Sequence, residues 1–189
     1  IRAAKGHDID PTAVKFKSGD SLLASVIGRS NQNVYLQDST GRFYAVPSHT
    51  LPSARGQGEP ASGKLNLPTG ATLTGLIMGE DEKEVFVGTS AGYGFRTTIT
   101  DLHTKNKAGK SVVKISPYAQ VVQPKLIYDE NSLIVAVSNE GRMLVFDISN
   151  VPKLAKGKGN KIINIPSARL KRGEELSLIH ISEPTRQSL

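Results

Sequence analysis

The strongest constraint on this chain is an internal repeat about fifty residues long. Three segments align by eye: Val34–Tyr44, Val85–Phe95 and Ile134–Leu144. Each carries a glycine at the same place, Gly41, Gly92 and Gly141, spaced by 51 and 49 residues. Ten residues after each glycine comes an apolar residue, Leu51, Leu102 or Val151. A small basic loop bearing glycine follows: Arg55–Gly58, Lys105–Lys110 and Lys156–Gly159. Then comes another apolar segment read as a strand, Leu65–Leu67, Val112–Ile115 and Ile162–Ile165. Four features recurring in order, three times, describe one supersecondary unit stacked on copies of itself.

The unit reads as short strands. Apolar and polar residues alternate in Ser21–Ile27, Thr72–Ile77 and Gln120–Leu126, the period of a strand with two unlike faces. Asp38-Ser39-Thr40-Gly41 and Asn139-Glu140-Gly141 read as hairpin turns, glycine taking the positive φ that other residues resist. No segment sustains a helical period, so little helix is expected. Fifty residues in four strands are blade-sized. The expectation is an all-β, propeller-like disc of four-stranded blades, incomplete at about three blades. The chain's 189 residues, 38% of them apolar, suffice for one such domain.

The net charge of +7 favours an acidic partner, nucleic acid being the commonest. The absence of cysteine excludes a disulfide framework and thiolate metal sites. No apolar run approaches the roughly 20 residues that span a bilayer, so no transmembrane segment is expected. No signal peptide is visible at Ile1, and an opening without Met leads us to expect that the natural N-terminus lies upstream.

Enzymatic patterns are missing. There is no glycine-rich phosphate loop opening a helix and no nucleophile elbow. His7, His49, His103 and His180 lack metal-ligand spacing, and His49 with His103 fall near matching places of two repeats, which favours a structural role. Glu80-Asp81-Glu82 reads as a solvated turn. No catalytic and no metal residues are assigned.

The basic loops carry the functional reading. Residues 151–173 hold Lys153, Lys156, Lys158, Lys161, Arg169, Lys171 and Arg172 with no acid among them. DNA presents closely spaced phosphates, and each ion pair releases condensed counterions. Glycine beside lysine lets backbone N–H groups approach phosphate oxygens as well. A basic loop repeated at one point of each blade would build a charged rim. The candidate DNA-binding residues are Arg42, Arg55, Lys64, Lys105, Lys107, Lys110, Arg142, Lys153, Lys156, Lys158 and Lys161. Most aromatics fall at strand positions, where packing is their default role, and no recognition helix is visible. Contact with the backbone of bent duplex is therefore expected rather than base readout. The competing reading is a protein-interaction propeller without nucleic-acid binding, which would need no recurring lysines.

The tail fits no repeat. Leu176-Ser177-Leu178-Ile179-His180-Ile181-Ser182-Glu183-Pro184-Thr185-Arg186 is similar to the translation of a transposase-type sequencing adapter. We therefore expect a native domain at 1–175, a non-native tail at 176–189, and loose packing after about Ile165.

Several longer stretches are informative beyond the repeat: Arg2-Ala3-Ala4-Lys5-Gly6-His7-Asp8, Leu51-Pro52-Ser53-Ala54-Arg55-Gly56-Gln57-Gly58-Glu59-Pro60, Ala91-Gly92-Tyr93-Gly94-Phe95, and Lys156 through Pro166. Over residues 1–175 the chain resembles the C-terminal domain of the bacterial topoisomerase IV A subunit, in the type IIA topoisomerase family. The Ala54–Gly58 loop resembles a degenerate form of the basic box of the related gyrase protein. The resemblance implies a β-pinwheel whose basic edge holds and bends duplex DNA for a separate catalytic core. It implies no cofactor in this fragment, with Mg²⁺ and ATP in the parent assembly. It also implies, as partners, the topoisomerase IV B subunit together with a second A subunit, in a cytoplasmic, nucleoid-associated heterotetramer. The parent would be an ATP-hydrolysing topoisomerase that unlinks and relaxes DNA in chromosome segregation. This fragment alone would have no activity, and none of its tyrosines would be the nucleophile. The missing intact basic box implies unlinking rather than chiral wrapping.

Overall fold

The computed structural model describes residues 1–6 and 9–182. His7, Asp8 and residues 183–189, the latter within the segment read as foreign, lie outside the described residues.

In chain order the elements are a hairpin of β1 (Asn33–Asp38) and β2 (Arg42–Pro47), β3 (Leu73–Met78), and a hairpin of β4 (Glu84–Gly88) and β5 (Tyr93–Thr98). Then come the single-turn helix α1 (Ile99–Leu102), β6 (Lys110–Ser111), β7 (Lys125–Ile127), and a hairpin of β8 (Leu133–Ser138) and β9 (Met143–Asp147). β10 (Asn160–Lys161), α2 (Ser167–Arg172) and β11 (Ser177–Ser182) complete the series. The three hairpins are the three aligned segments, and a short helical turn follows each of them, at Ser48–Thr50, α1 and Ile148–Asn150.

The first two hairpins are each the centre of a four-stranded sheet, the third is flanked by β11 alone with β9 at the edge among the described residues, and every flanking strand comes from later in the chain. The orders are β3-β1-β2-β6, β10-β5-β4-β7 and β11-β8-β9. Repeat two thus lends β3 and β6 to the first blade, and repeat three lends β7 and β10 to the second. This is the expected all-β, propeller-like stack, three blades among the described residues, with strands exchanged between neighbours and with three strands rather than the expected four in the third.

Burial explains why blades need neighbours. Along β1, Tyr35 faces a core shared with Val85, Val87 and Phe95 of the second blade. Val34 and Leu36 point the other way, to Leu65 and Met78. Along β4, Val85 and Val87 face the first blade while Phe86 joins Ile134, Ala136 and Ile163 toward the third. Both faces of the second sheet are covered at β4, which carries the apolar run Val85-Phe86-Val87 rather than an alternation. On the third blade β9 is open on both faces: Met143 and Val145 on the far side and Leu144 on the near side are all exposed.

The hairpin turns fall where the glycines placed them. Asp38 shows how the first is set: one carboxylate oxygen accepts the amides of Thr40 and Arg42, and the other accepts the Tyr44 hydroxyl at 2.7 Å. That buried carboxylate is fully partnered.

Three sequence expectations are corrected. Ser21–Ile27 forms no strand, although its counterparts Thr72–Ile77 and Gln120–Leu126 contribute β3 and β7. β3 and β7 each pair with the hairpin of the preceding repeat, and Ser21–Ile27 has no preceding hairpin among the described residues. Next, Leu65–Leu67, Val112–Ile115 and Ile162–Ile165 are not strands. Pairing falls two residues upstream, at β6 and β10, and Val112, Val113, Ile162 and Ile163 plug the seam between blades. Finally, the chain stays packed after Ile165. Leu170 of α2 is buried, and β11 pairs with β8 over all six residues. β11 fills on β8 the flank that β3 fills on β1 and β7 fills on β4. The alternation in Ser177-Leu178-Ile179-His180-Ile181 suits that slot, burying Ser177 and Ile179 and exposing Leu178 and His180.

Candidate nucleic-acid interface

The first basic loop packs on the N-terminal segment, where the Ala54 amide donates to the Ala3 carbonyl at 2.8 Å, whereas the second and third leave α1 and its counterpart Ile148–Asn150 and run beside β2 and β5. Glycine makes that approach possible. Gly109 has φ 71°, and a Cβ there would meet Tyr44 at 2.6 Å. Gly159 has φ 76°, and its Cβ would stand 2.1 Å from the Gly94 carbonyl oxygen. No other residue type fits at either place.

Successive loops are stitched to one another by one recurring bond. The Asn66 amide donates to the Lys107 carbonyl at 2.8 Å. One repeat later the Lys114 amide donates to the Gly157 carbonyl at 2.7 Å. The stretch leaving each basic loop therefore touches the middle of the next, and the three loops form a continuous chain along the blades.

The eleven candidates divide by what their side chains touch. Lys64, Lys105 and Lys107 line one groove of about 490 Å³ between the first two repeats, together with His103. Lys105 and Lys107 are exposed and make no side-chain bond among the described residues, whereas Lys64 donates to the Thr50 carbonyl at 3.0 Å. Lys158 and Lys161 gather round Tyr93, their ammonium groups 3.8 and 5.9 Å from the ring centroid. Lys161 also donates to Asn164 Oδ1 at 3.1 Å. Lys156 and Arg55 are exposed.

Four candidates are held by structural partners. The Arg42 guanidinium donates to the carbonyls of Ala108 and Gly109 at 3.2 and 3.4 Å, clamping the loop that holds Lys105 and Lys107. Lys110 donates to the Asp101 carbonyl, and Lys153 pairs with Glu84 at 3.0 Å. Arg142 grips Glu175, a carboxylate with no exposed side-chain surface, and donates to the Asn164 carbonyl at 2.7 Å. The hydrogen bond from Arg142 holds the Glu175 carboxyl below its ordinary value.

Sequence reasoning missed Lys114 and Tyr93. Lys114 is exposed between Val113 and Ile115, and its register with Asn66 in the first repeat was the available signal. Tyr93 follows the turn glycine where the other repeats have Arg42 and Arg142. Arg42 and Tyr93 meet the basic loop of the following repeat, whereas Arg142 holds Glu175 and the Asn164 carbonyl.

Tyr35 and Tyr44 belong to the core, where burial pushes both phenols up. Among the described residues no group of three or more His, Asp or Glu side chains is placed to hold a metal ion, and no helix is long and apolar enough to cross a membrane. His103 meets the Tyr35 hydroxyl at 3.3 Å through Nδ1, a packing contact between blades.

Comparison with known proteins gives one consistent answer. The family model described as DNA gyrase C-terminal domain, beta-propeller, matches residues 83–127 and 132–182. The chain is 49% identical over 185 residues to the A subunit of DNA topoisomerase 4 from Escherichia coli K12, covering 97% of this chain and 25% of that protein. It is 49% identical over 176 residues to the Haemophilus influenzae protein of the same name, covering 93% and 24%. It thus spans about a quarter of the length of these relatives. Among solved structures it is similar to the E. coli ParC C-terminal domain, with TM-score 0.88, 50% identity, and 95% and 74% of the two chains covered. A DNA gyrase A C-terminal domain at 15% identity, TM-score 0.63, covering 94% and 56%, shares the fold alone.

Proposed function

The chain belongs to the family of DNA gyrase C-terminal domains, as a C-terminal domain of the topoisomerase IV A subunit, and on that premise we propose that it holds and bends a duplex segment through its chained basic loops. The observation that carries this reading is the recurring bond that links Asn66 to Lys107 and Lys114 to Gly157. It sets exposed cations of successive blades in one series rather than scattering them.

Chemically, Lys105, Lys107, Lys156, Lys158 and Lys161 pair with phosphates and release counterions, an interaction indifferent to sequence. Amides of the glycine-bearing loops approach the same oxygens. Propeller blades repeat radially, so phosphates gripped in series along them would follow a curved path. The duplex repays its bending energy through those added contacts.

In the parent protein the held segment is passed by a strand-passage core that lies elsewhere, with the B subunit plus a second A subunit. The parent's reaction is ATP-dependent unlinking and relaxation of DNA in the cytoplasm, on the nucleoid. Among the described residues no group of His, Asp or Glu side chains is placed to hold Mg²⁺. We place both groups elsewhere in the assembly, where the metal supports phosphoryl chemistry.

An electrophoretic shift of the chain with mixed-sequence duplexes, repeated across salt, tests the proposal. Binding that weakens steeply with salt and ignores sequence supports it. No shift at low salt, or binding that persists unchanged at high salt, overturns it.

A further inference from the structure

Tyr118 is the one non-glycine residue among the described residues with φ in the left-handed region, at 66°. A Cβ there crowds the neighbouring carbonyl, and a bulky side chain in this conformation is a true outlier. The turn spans Ser116–Ala119 and is closed by the Ala119 amide on the Ser116 carbonyl at 3.1 Å. One repeat earlier the matching turn is Pro68–Ala71, closed at 2.9 Å, and its left-handed residue is Gly70, with φ 78°. The fold therefore accepts glycine here.

Packing does not explain the tyrosine either. Its side chain lies outside every core cluster, and the residue is 63% exposed. The Lys171 ammonium of α2 stands 6.0 Å from the ring centroid. The next residue but one, Gln120, exchanges hydrogen bonds with Ser90: its amide donates to Ser90 Oγ at 2.9 Å and its carbonyl accepts the Ser90 amide at 2.8 Å. Ser90 opens the turn that leads through Gly92 into Tyr93, where Lys158 and Lys161 gather. A strained, exposed phenol is thus tethered to the same end of the second blade as the held lysines.

We propose that Tyr118 is a DNA-contacting residue, its hydroxyl donating to a backbone phosphate that Lys171 pairs with. Strain retained at an exposed side chain is a mark of function when the fold has a cheaper residue for the position. Tyrosine hydroxyls and lysine ammonium groups are ordinary phosphate partners, and a tyrosine carries few rotatable bonds to immobilise. The proposal rests on duplex binding by this chain.

The test is a fluorescence-anisotropy titration with a mixed-sequence duplex, run on the full chain and on Tyr118→Gly, Tyr118→Phe and Lys171→Ala, with melting temperatures alongside. Tyr118→Gly relieves the strain, so it melts at or above the parent, yet its affinity falls by about tenfold. Tyr118→Phe keeps the ring and falls to a similar extent, because the hydroxyl makes the contact. Lys171→Ala flattens the salt dependence by about 0.9 of a log unit per log unit. A purely structural tyrosine cannot lose binding while gaining stability. Full affinity in Tyr118→Gly or in Tyr118→Phe overturns this proposal alone. A parent that leaves the duplex unbound overturns the duplex reading with it.

Discussion

A Cβ placed on Gly92 would stand 2.2 Å from the carbonyl oxygen of Ile163, in the seam between the second and third blades. The Gly92 carbonyl in turn accepts the amides of Ile162 and Ile163 at 2.7 and 3.3 Å. Gly41 repeats the arrangement with Val113, at 2.3 Å. Gly141 has the same φ, 79°, but nothing within 4 Å. Gly92→Ala and Gly41→Ala therefore combine backbone strain with a blade-to-blade clash and lose about 2–4 kcal/mol. Gly141→Ala carries the strain alone and loses about 1 kcal/mol. Denaturant midpoints measure the difference, and equal losses at the three sites would contradict the seam.

Arg142 and Arg169 both face the buried Glu175 carboxylate. The Arg142 hydrogen bond depresses the folded-state pKa, so the pair stabilises the fold above the unfolded carboxyl's titration near 4.5. That contribution is lost as pH falls through the folded value. Thermal melts from neutral pH to pH 3 should show a drop on the acid side that Glu175→Gln reduces. Arg142→Ala, which leaves the buried charge only the longer Arg169 contact at 3.5 Å, should destabilise more than the Arg142→Ala/Glu175→Ala pair together.

Cations of the second basic loop separate by role. Arg42→Ala removes the clamp on the Ala108 and Gly109 carbonyls and should lower stability by about 1–2 kcal/mol. Lys105→Ala with Lys107→Ala should leave the melt nearly unchanged and weaken duplex binding. Reversed phenotypes would show that the held and exposed assignments are exchanged.

Much of this was legible in the sequence. Gly41, Gly92 and Gly141 marked the turns because only glycine meets φ near 80° without strain. Leu102 and Val151 marked the core because they are buried at equivalent points. Strand exchange was not legible from local pattern, since β6 and β10 contribute two residues each to a sheet whose hairpin lies in the preceding repeat. The packing of β11 was missed for a related reason. An open strand edge takes any segment with suitable alternation, and Ser177–Ser182 has it. At the site, charge counting found the loops but could not separate Lys105 from Arg42. A guanidinium that clamps carbonyls and a free ammonium look alike in a list of cations. Tyr118 passed as an ordinary aromatic because φ is a property of the fold.

The central claim is that the chained loops grip the phosphate backbone, and the salt dependence of duplex affinity tests it most directly. The parent should be compared with Lys156→Ala/Lys158→Ala/Lys161→Ala, taking a variant neutralised at Glu80, Asp81 and Glu82 as control. Each phosphate contact contributes about −0.9 to the slope of log affinity against log salt, so the triple variant should flatten it by up to about 3 units on all duplexes alike. The same slope and affinity as the parent at every salt concentration would contradict the claim.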